Sequence, residues 1–238
     1  MIHEMPEKKS QEFSTAREFA EYLYAISHDR IPERIHLDAV YVFGETIDNQ
    51  RIGVLPAAKL YQEGKADKVL ICGGVARKGY SGAPKVRELL IEAGVPEEKI
   101  TEVEIPVPDE QFHSKSEAEA VVAFCKEHSV NNIAVAAPVF HLPRTFASII
   151  SAALETGADD AINAWAVQGT VPGEEKADWW KEKALHSQGK AHDSRIKLFQ
   201  GELDRIYDYY TKGWLKSWGD IQAYMQRRDR RIRQHSES

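Results

Sequence analysis

Apolar residues follow two alternating rhythms along this chain. Leu37–Phe43 (LDAVYVF), Lys68–Cys72 (KVLIC) and Ile133–Val139 (IAVAAPV) are short, dense runs of β-forming residues. Such runs mark strands buried on both faces. Ile100–Ile105 predicts a shorter third strand and Ile162–Val167 a last one. Pro138 must then end its strand, because an interior proline would break the ladder. Between the runs, apolar positions fall three or four apart. Ala57, Ala58, Leu60 and Tyr61 lead to Gly64, and Val86, Leu89, Leu90 and Ala93 lead to Gly94. Ala118, Val121, Val122 and Phe124 share one side of a helix from about Lys115 to His128, and another helix runs from Pro143 to Gly157. Pro56, Pro84 and Pro143 stand where first turns accept proline, and the glycines stand where helices end. Upstream, Thr15 and Glu18 have capping-box spacing ahead of Phe19, Tyr22, Leu23 and Ile26. They predict an opening helix that breaks near Pro32.

A helix, then strand and helix repeated four times, then a strand, predicts an α/β fold. Its crossovers should be right-handed and its sheet doubly wound and parallel. After Pro172 the character changes. The five tryptophans Trp165, Trp179, Trp180, Trp214 and Trp218 all lie in the last third, and Leu198, Leu203, Ile206, Tyr207 and Tyr210 form an apolar stripe. This region reads as helices covering the sheet or one mouth of its crevice. The chain is therefore expected to be one domain over 1–238, with an N-terminal helix in 1–35, the α/β core in 36–168 and a helical C-terminal extension in 169–238. The basic end, Arg227–Arg233, reads as a solvated helix end rather than a nucleic-acid arm.

Composition narrows the function classes. Of 238 residues, 42% are hydrophobic and 29% charged, which supplies a sizeable core. The formal charge of -6 argues against a nucleic-acid binder. Two cysteines, Cys72 and Cys125, stand far apart without metal-ligand spacing, so a reducing compartment is expected. With no apolar stretch at the start and no run of the roughly 20 residues that span a bilayer, the expected location is cytoplasmic, with no membrane partner.

In open parallel sheets, ligands bind beyond the carboxyl ends of the strands. Four unusual segments fall on that rim. Gly44-Glu45-Thr46 follows the first strand, with Arg51 shortly after. Gly73-Gly74 follows the second, ahead of Arg77, Lys78, Gly79 and Ser81. His113-Ser114-Lys115-Ser116-Glu117 follows the third and His141-Leu142-Pro143-Arg144 the fourth. Gly73-Gly74 would let backbone amides approach an anion, or would simply end a strand. Tyr80-Ser81 stands where a phosphate-binding loop needs Lys and Ser or Thr, and G-x-G-x-x-G is absent, so standard nucleotide loops are excluded. Ser114 and Glu117 have capping-box spacing, which explains both by itself and also aims amides at the crevice. Arg144 opposes the dipole of its helix, so an anion in front of it would explain it better than helix stability does. His141 can donate to phosphate or act as acid or base, and Glu45 can act as a general base. The expected catalytic residues are thus His141 and Glu45, and the expected ligand-binding residues are Arg51, Gly73, Gly74, Ser114, Glu117 and Arg144. No metal-ligand spacing joins the histidines and acids. A nucleophilic serine, Ser114 or Ser81, acting with His141 lacks the G-x-S-x-G elbow that would mark it.

The segments LDAVYVFGET, EGKADKVLICGG, LLIEAGVPEEKI, HSKSEAEAV and VAAPVFHLPRTF, in this order, resemble the YdcF/SanA-like family, domain of unknown function 218. The resemblance covers about Leu37 to Leu154, and RIKLFQGELDRIYDYYTKG is similar to the tails of cytoplasmic members. It implies a Rossmann-like three-layer fold with a polar pocket built from Arg51, Gly73, Gly74, Ser114, Glu117, His141 and Arg144. It also implies S-adenosylmethionine as a cofactor to consider, since one bacterial relative binds it. Members usually carry Asn-Thr where His113-Ser114 stands here, and the membrane anchor of envelope-linked members is not expected in this chain. The leading expectation is binding of a phosphate-bearing or nucleotide-like anionic small molecule, with hydrolase or transferase chemistry in reach. The alternatives are an S-adenosylmethionine-binding protein and a non-enzymatic interaction module that exposes its C-terminal tryptophans.

Overall fold

Five of the apolar runs become strands of one sheet. In a computed structural model that describes residues 7–77, 79–169, 183–185 and 192–234, they are β1 (Ala39–Val42), β2 (Val69–Cys72), β3 (Ile100–Val103), β4 (Asn132–Pro138) and β5 (Asn163–Gly169). All neighbours are parallel, in the order β3-β2-β1-β4-β5. Seven helices are described: α1 (Glu7–Ser27), α2 (Ile47–Gln62), α3 (Ala83–Glu92), α4 (Ser114–Glu127), α5 (Leu142–Glu155), α6 (Arg195–Thr211) and α7 (Trp218–Gln234). Side-chain alternation along the strands builds two cores, one on each face of the sheet. Tyr41, Leu70, Val135 and Ala164 pack with α1, α4, α5 and α7, whereas Val40, Ile71, Ala134 and Trp165 pack with α2 and α3. This is a Rossmann-like three-layer fold, and Pro138 closes β4 as expected.

Several local expectations change. The helix expected to start at Thr15 starts by Glu7, because good helix formers precede the motif and nothing upstream stops the helix. Pro56 lies inside α2 rather than near its start. The first turns of α2 bury Asn49, Gln50 and Gly53, so apolar periodicity is silent there. Pro56 cannot bond the Ile52 carbonyl four residues back. That carbonyl instead faces Gly169 so closely that a Cβ at position 169 would collide with it. Two three-residue strands, β6 (Lys183–Leu185) and β7 (His192–Ser194), pair antiparallel in the extension, where only helices were expected. Runs so short carry no readable period.

Only part of the basic C-terminal run is a solvated helix end: Arg230 and Arg233 are exposed, but Arg227, Arg228 and Arg231 are engaged. β5 is an edge of the sheet, and α7 and the loop after α1 answer its outward backbone groups. Tyr224 Oη accepts from Ala164 N and donates to Ile162 O, both at 2.8 Å. Asp29 accepts from Ala166 N at 2.9 Å. Arg228 donates to Asp29 at 2.6 and 3.1 Å and to the Ala164 carbonyl. Arg227 and Arg231 pair with Asp159 and Asp160. An unpaired edge invites association, and here buried polar side chains occupy it. Trp165 and Trp218 are core and Trp214 is half-buried, while Trp179, Trp180 and Lys78 lie outside the described residues. Among the described residues, no helix is long and apolar enough to cross a membrane.

Arg228→Met would leave Asp29 buried without its counter-charge. The expected outcome is a loss of about 3–5 kcal/mol in denaturant unfolding, the cost of breaking a buried pair from one side.

Candidate functional site

The strand order reverses between β1 and β4, and their following loops part to leave a crevice. The β1 loop is held by a side chain. Gln50, fully buried on α2, accepts from Glu45 N at 2.8 Å and donates from Nε2 to Phe43 O at 3.1 Å. This clamp fixes the Gly44–Glu45 turn and aims the Glu45 carboxylate across the gap. The β4 loop turns at Pro138, whose carbonyl accepts from His141 N at 2.9 Å, and His141 then N-caps α5. Glu45 Oε1 hydrogen-bonds His141 Nδ1, and both residues are buried. A carboxylate only accepts, so Nδ1 carries the proton and Nε2 is left as an acceptor. Ser114 Oγ lies 3.3 Å from that Nε2.

Ser114 reaches this point because α4 begins one residue earlier than its motif suggested. The N-cap is His113, whose Nδ1 accepts from Ser116 N at 3.1 Å while Ser116 Oγ accepts from His113 N at 3.1 Å. The capping box is therefore His113 with Ser116, not Ser114 with Glu117. An imidazole nitrogen has supplied the acceptor that a serine hydroxyl usually provides. Ser114 is released to face His141, and Glu117 turns inward. Glu117 Oε1 accepts from Tyr41 Oη and from Gly44 N, both at 2.8 Å.

The fourth wall is charged. Arg144, in the first turn of α5, donates from Nη1 to Ser114 Oγ at 2.5 Å. Its Nε and Nη2 grip Glu202 of α6 at 2.7 and 3.2 Å. Glu202 also accepts from Arg205 at 2.9 Å, and the Arg144 guanidinium lies 5.1 Å from the Tyr209 ring centre. The resulting crevice, of about 140 Å³, is lined by Ser114, Glu117, His141, Arg144, Arg205 and Tyr209 together with Gly44, Phe112, His113 and Asp208, and Glu202 stands behind Arg144. Asp208, at the rim, pairs with Lys212 at 2.7 Å.

The two deep acids respond oppositely to burial. Desolvation pushes the Glu117 carboxyl up to about 8, helped by the nearby Glu45 and opposed by the Gly44 and Tyr41 hydrogen bonds and by Arg144. Glu117 is largely protonated at neutral pH. Burial also works against the charge on Glu202, but Arg144, His141 and Arg205 outweigh it and hold its pKa down at about 2. Burial disfavours the Arg144 charge, yet Glu202 raises its pKa above the ordinary value. One oxygen of Glu45, Oε2, is buried with no hydrogen-bond partner among the described residues.

The structure brings Ser114, Glu117, His141 and Arg144 to one crevice, with Glu45 bonded to His141 behind its wall. Arg51, Gly73 and Gly74 do not line it. Arg51 is exposed on α2, whose inward positions are Asn49, Gln50, Ile52, Gly53 and Val54. Gly73 N donates to Val103 O at 2.9 Å, so it is not turned toward a ligand. A Cβ at position 73 would lie 2.8 Å from the same carbonyl, and Gly74 takes φ +93 in the turn that follows. This glycine pair ends a strand beside its neighbour. Between the two serines, it is Ser114 that hydrogen-bonds His141, whereas Ser81 N donates to Glu45 O at 3.2 Å.

Sequence reasoning missed Glu202, Arg205 and Gln50. Glu202 carried a signal: it lies between Leu198 and Ile206 at helical spacing, on the buried stripe of α6 that continues to Tyr209. A carboxylate on a buried stripe calls for a cation. Tyr207, expected on that stripe, is instead 71% exposed. No protein-family model, curated protein or solved structure matches the chain.

The raised pKa of Glu117 has a defined sign in stability. Its folded-state value lies above the roughly 4.3 of an unfolded glutamate. Its contribution is therefore fully present below that pH and is lost as pH rises through about 8. Glu202 acts in the other direction, contributing above the unfolded value and losing its contribution as pH falls toward about 2. Glu117→Gln keeps an acceptor for Tyr41 and Gly44 but cannot titrate. Denaturant unfolding should show a wild-type decline between pH 5 and 8 of at most about 1.4 kcal/mol per pH unit, the one-proton limit. That decline should be flattened in Glu117→Gln.

Proposed function

We propose that this protein binds a phosphate-bearing or nucleotide-like small molecule in the crevice between the β1 and β4 loops, with hydrolytic or transfer chemistry in reach of the same residues. The observation that carries this reading is the make-up of the wall. Two guanidiniums, Arg144 and Arg205, and two imidazoles, His113 and His141, converge with the Ser114 hydroxyl on one small crevice. Glu117, the acid deepest in that wall, is largely protonated at neutral pH and can donate rather than repel. Phe112 and Tyr209 add aromatic faces suited to a base or another flat group. Arg144 is already gripped by Glu202, so it acts from behind Ser114. Arg205, less deeply buried, is the guanidinium better placed to meet a ligand. Membership of the YdcF/SanA-like family is part of the same proposal and agrees with a polar pocket at this place in the fold.

Thermal-shift and calorimetric titration with inorganic phosphate, pyrophosphate, nucleoside and sugar phosphates, and S-adenosylmethionine tests the reading. A ligand at 100 times its dissociation constant adds about 2.7 kcal/mol of stability, which such a scan resolves. At least one phosphate-bearing compound should bind saturably. Arg205→Ala should weaken it about 10- to 100-fold, since a hydrogen bond from a charged group contributes roughly 1.5–3 kcal/mol. No saturable shift with any anion at millimolar concentration would overturn the reading. A shift with S-adenosylmethionine alone would replace it.

A further inference from the structure

We infer that Ser114 is the nucleophile of an acyl-transfer site, activated by His141 and positioned through Glu45, and that its substrate is an ester of a small anionic molecule. The anionic character of the substrate rests on the binding reading above; the nucleophile does not.

Four side chains from three segments meet here: Glu45, Ser114, and His141 with Arg144. Glu45 holds Nδ1 of His141, which fixes the tautomer so that Nε2 points a lone pair at Ser114 Oγ, 3.3 Å away. A serine hydroxyl is a poor nucleophile until an adjacent base takes its proton, and a base oriented by a third group is the arrangement that does so. The three residues come from the loop after β1, the start of α4 and the start of α5, so chain proximity does not explain their meeting. Nor does helix capping, since His113 and Ser116 perform that role. Ser114 is the first residue of a 14-residue helix, whose positive end favours negative charge growing there. Arg144 Nη1 donates to Oγ at 2.5 Å, so its positive charge stands next to the reacting oxygen and favours the negative charge that grows in the addition step. Ser114 can accept from Arg144 and donate to His141 at once, because its hydroxyl has one hydrogen and two lone pairs.

The chemistry balances with water as the only co-reactant. Ser114 Oγ bonds to the acyl carbon as its proton passes to His141 Nε2, and the carbonyl π pair moves onto oxygen. That pair returns, the bond to the alcohol oxygen breaks, and the leaving oxygen takes the proton from Nε2. Water then attacks the acyl-serine and gives a proton to Nε2. Ser114 Oγ departs with that proton, leaving acid and alcohol. A second alcohol in place of water would make the same cycle a transfer.

Diisopropyl fluorophosphate, a neutral probe that needs no anion pocket, tests the nucleophile on the full chain. Intact-protein mass spectrometry should show one adduct, and peptide mapping should place it on Ser114. Ser114→Ala should abolish it, with circular dichroism confirming the fold. His141→Ala should slow labelling at least ~100-fold, the usual minimum for loss of a general base. Glu45→Gln should slow it too, and Glu45→Asp should partly restore the rate, which a merely structural residue would not require. With p-nitrophenyl acetate, the wild type should release a burst of about one nitrophenol per chain. No adduct, an adduct on another residue, or equal labelling of Ser114→Ala would overturn the nucleophile. Labelling at Ser114 without any anion binding would leave the nucleophile standing and remove the anionic substrate. Anion binding without labelling would do the reverse.

Discussion

Arg144 is a buried guanidinium, and burying such a charge is tolerable only if its donors are met. Glu202 on α6 takes Nε and Nη2, and Ser114 on α4 takes Nη1, with Tyr209 3.4 Å from the same nitrogen. Satisfying one residue therefore draws three helices together over the gap between β1 and β4. The direct consequence is that the crevice belongs jointly to the α/β core and to the C-terminal extension. A surface arginine answering a ligand alone would have required none of this. Loss of the Arg144 side chain would strand Glu202 in the interior, so its effects on binding and on stability are linked.

The site also depends on which residue wins each local competition for a backbone amide. At the start of α4, two capping boxes are available one residue apart. His113 with Ser116 prevails, and this leaves Ser114 and Glu117 for long-range partners. At the start of α2, Gln50 reaches back to close the Gly44–Glu45 turn. Thr46 lies at the N-cap and its backbone carbonyl accepts from Asn49 N and Gln50 N at 2.9 and 2.8 Å. Both choices use ordinary helix-end chemistry. Both turn a helix terminus into a positioning device for a side chain in the crevice.

The layers of this fold were legible because buried parallel strands and amphipathic helices write strong periods into a chain. The runs at Leu37, Lys68 and Ile133 could hardly be anything else. The rim was legible too, since topology alone puts the residues after β1, β3 and β4 at one end of the sheet. What local pattern could not show was the partner of each polar residue. Gly73-Gly74 looked like an anion loop because close approach to a ligand and close approach to the Val103 carbonyl make the same demand for glycine. Arg51 looked like Arg144, yet a rotation of one position on α2 sends it outward. Arg228 looked like solvent-facing charge until the edge of β5, which no local pattern reveals, gave it carbonyl and carboxylate partners.

Two glutamates serve the crevice from different positions: Glu117 lines it, and Glu45 stands behind His141. Glu45 holds the His141 imidazole through Oε1. Glu117 is buried and bonded to Tyr41 and Gly44, and there desolvation dominates and the proton is retained. Two ionised carboxylates sharing the pocket would repel each other and any anion. Retention of the Glu117 proton removes that conflict. It leaves the imidazole oriented, the hydroxyl accessible to it, and a neutral donor on the opposite wall. The raised pKa of Glu117 makes the crevice sensitive to pH. Above the Glu117 pKa, a second negative charge appears next to Glu45, and the field that favours anions weakens at its source.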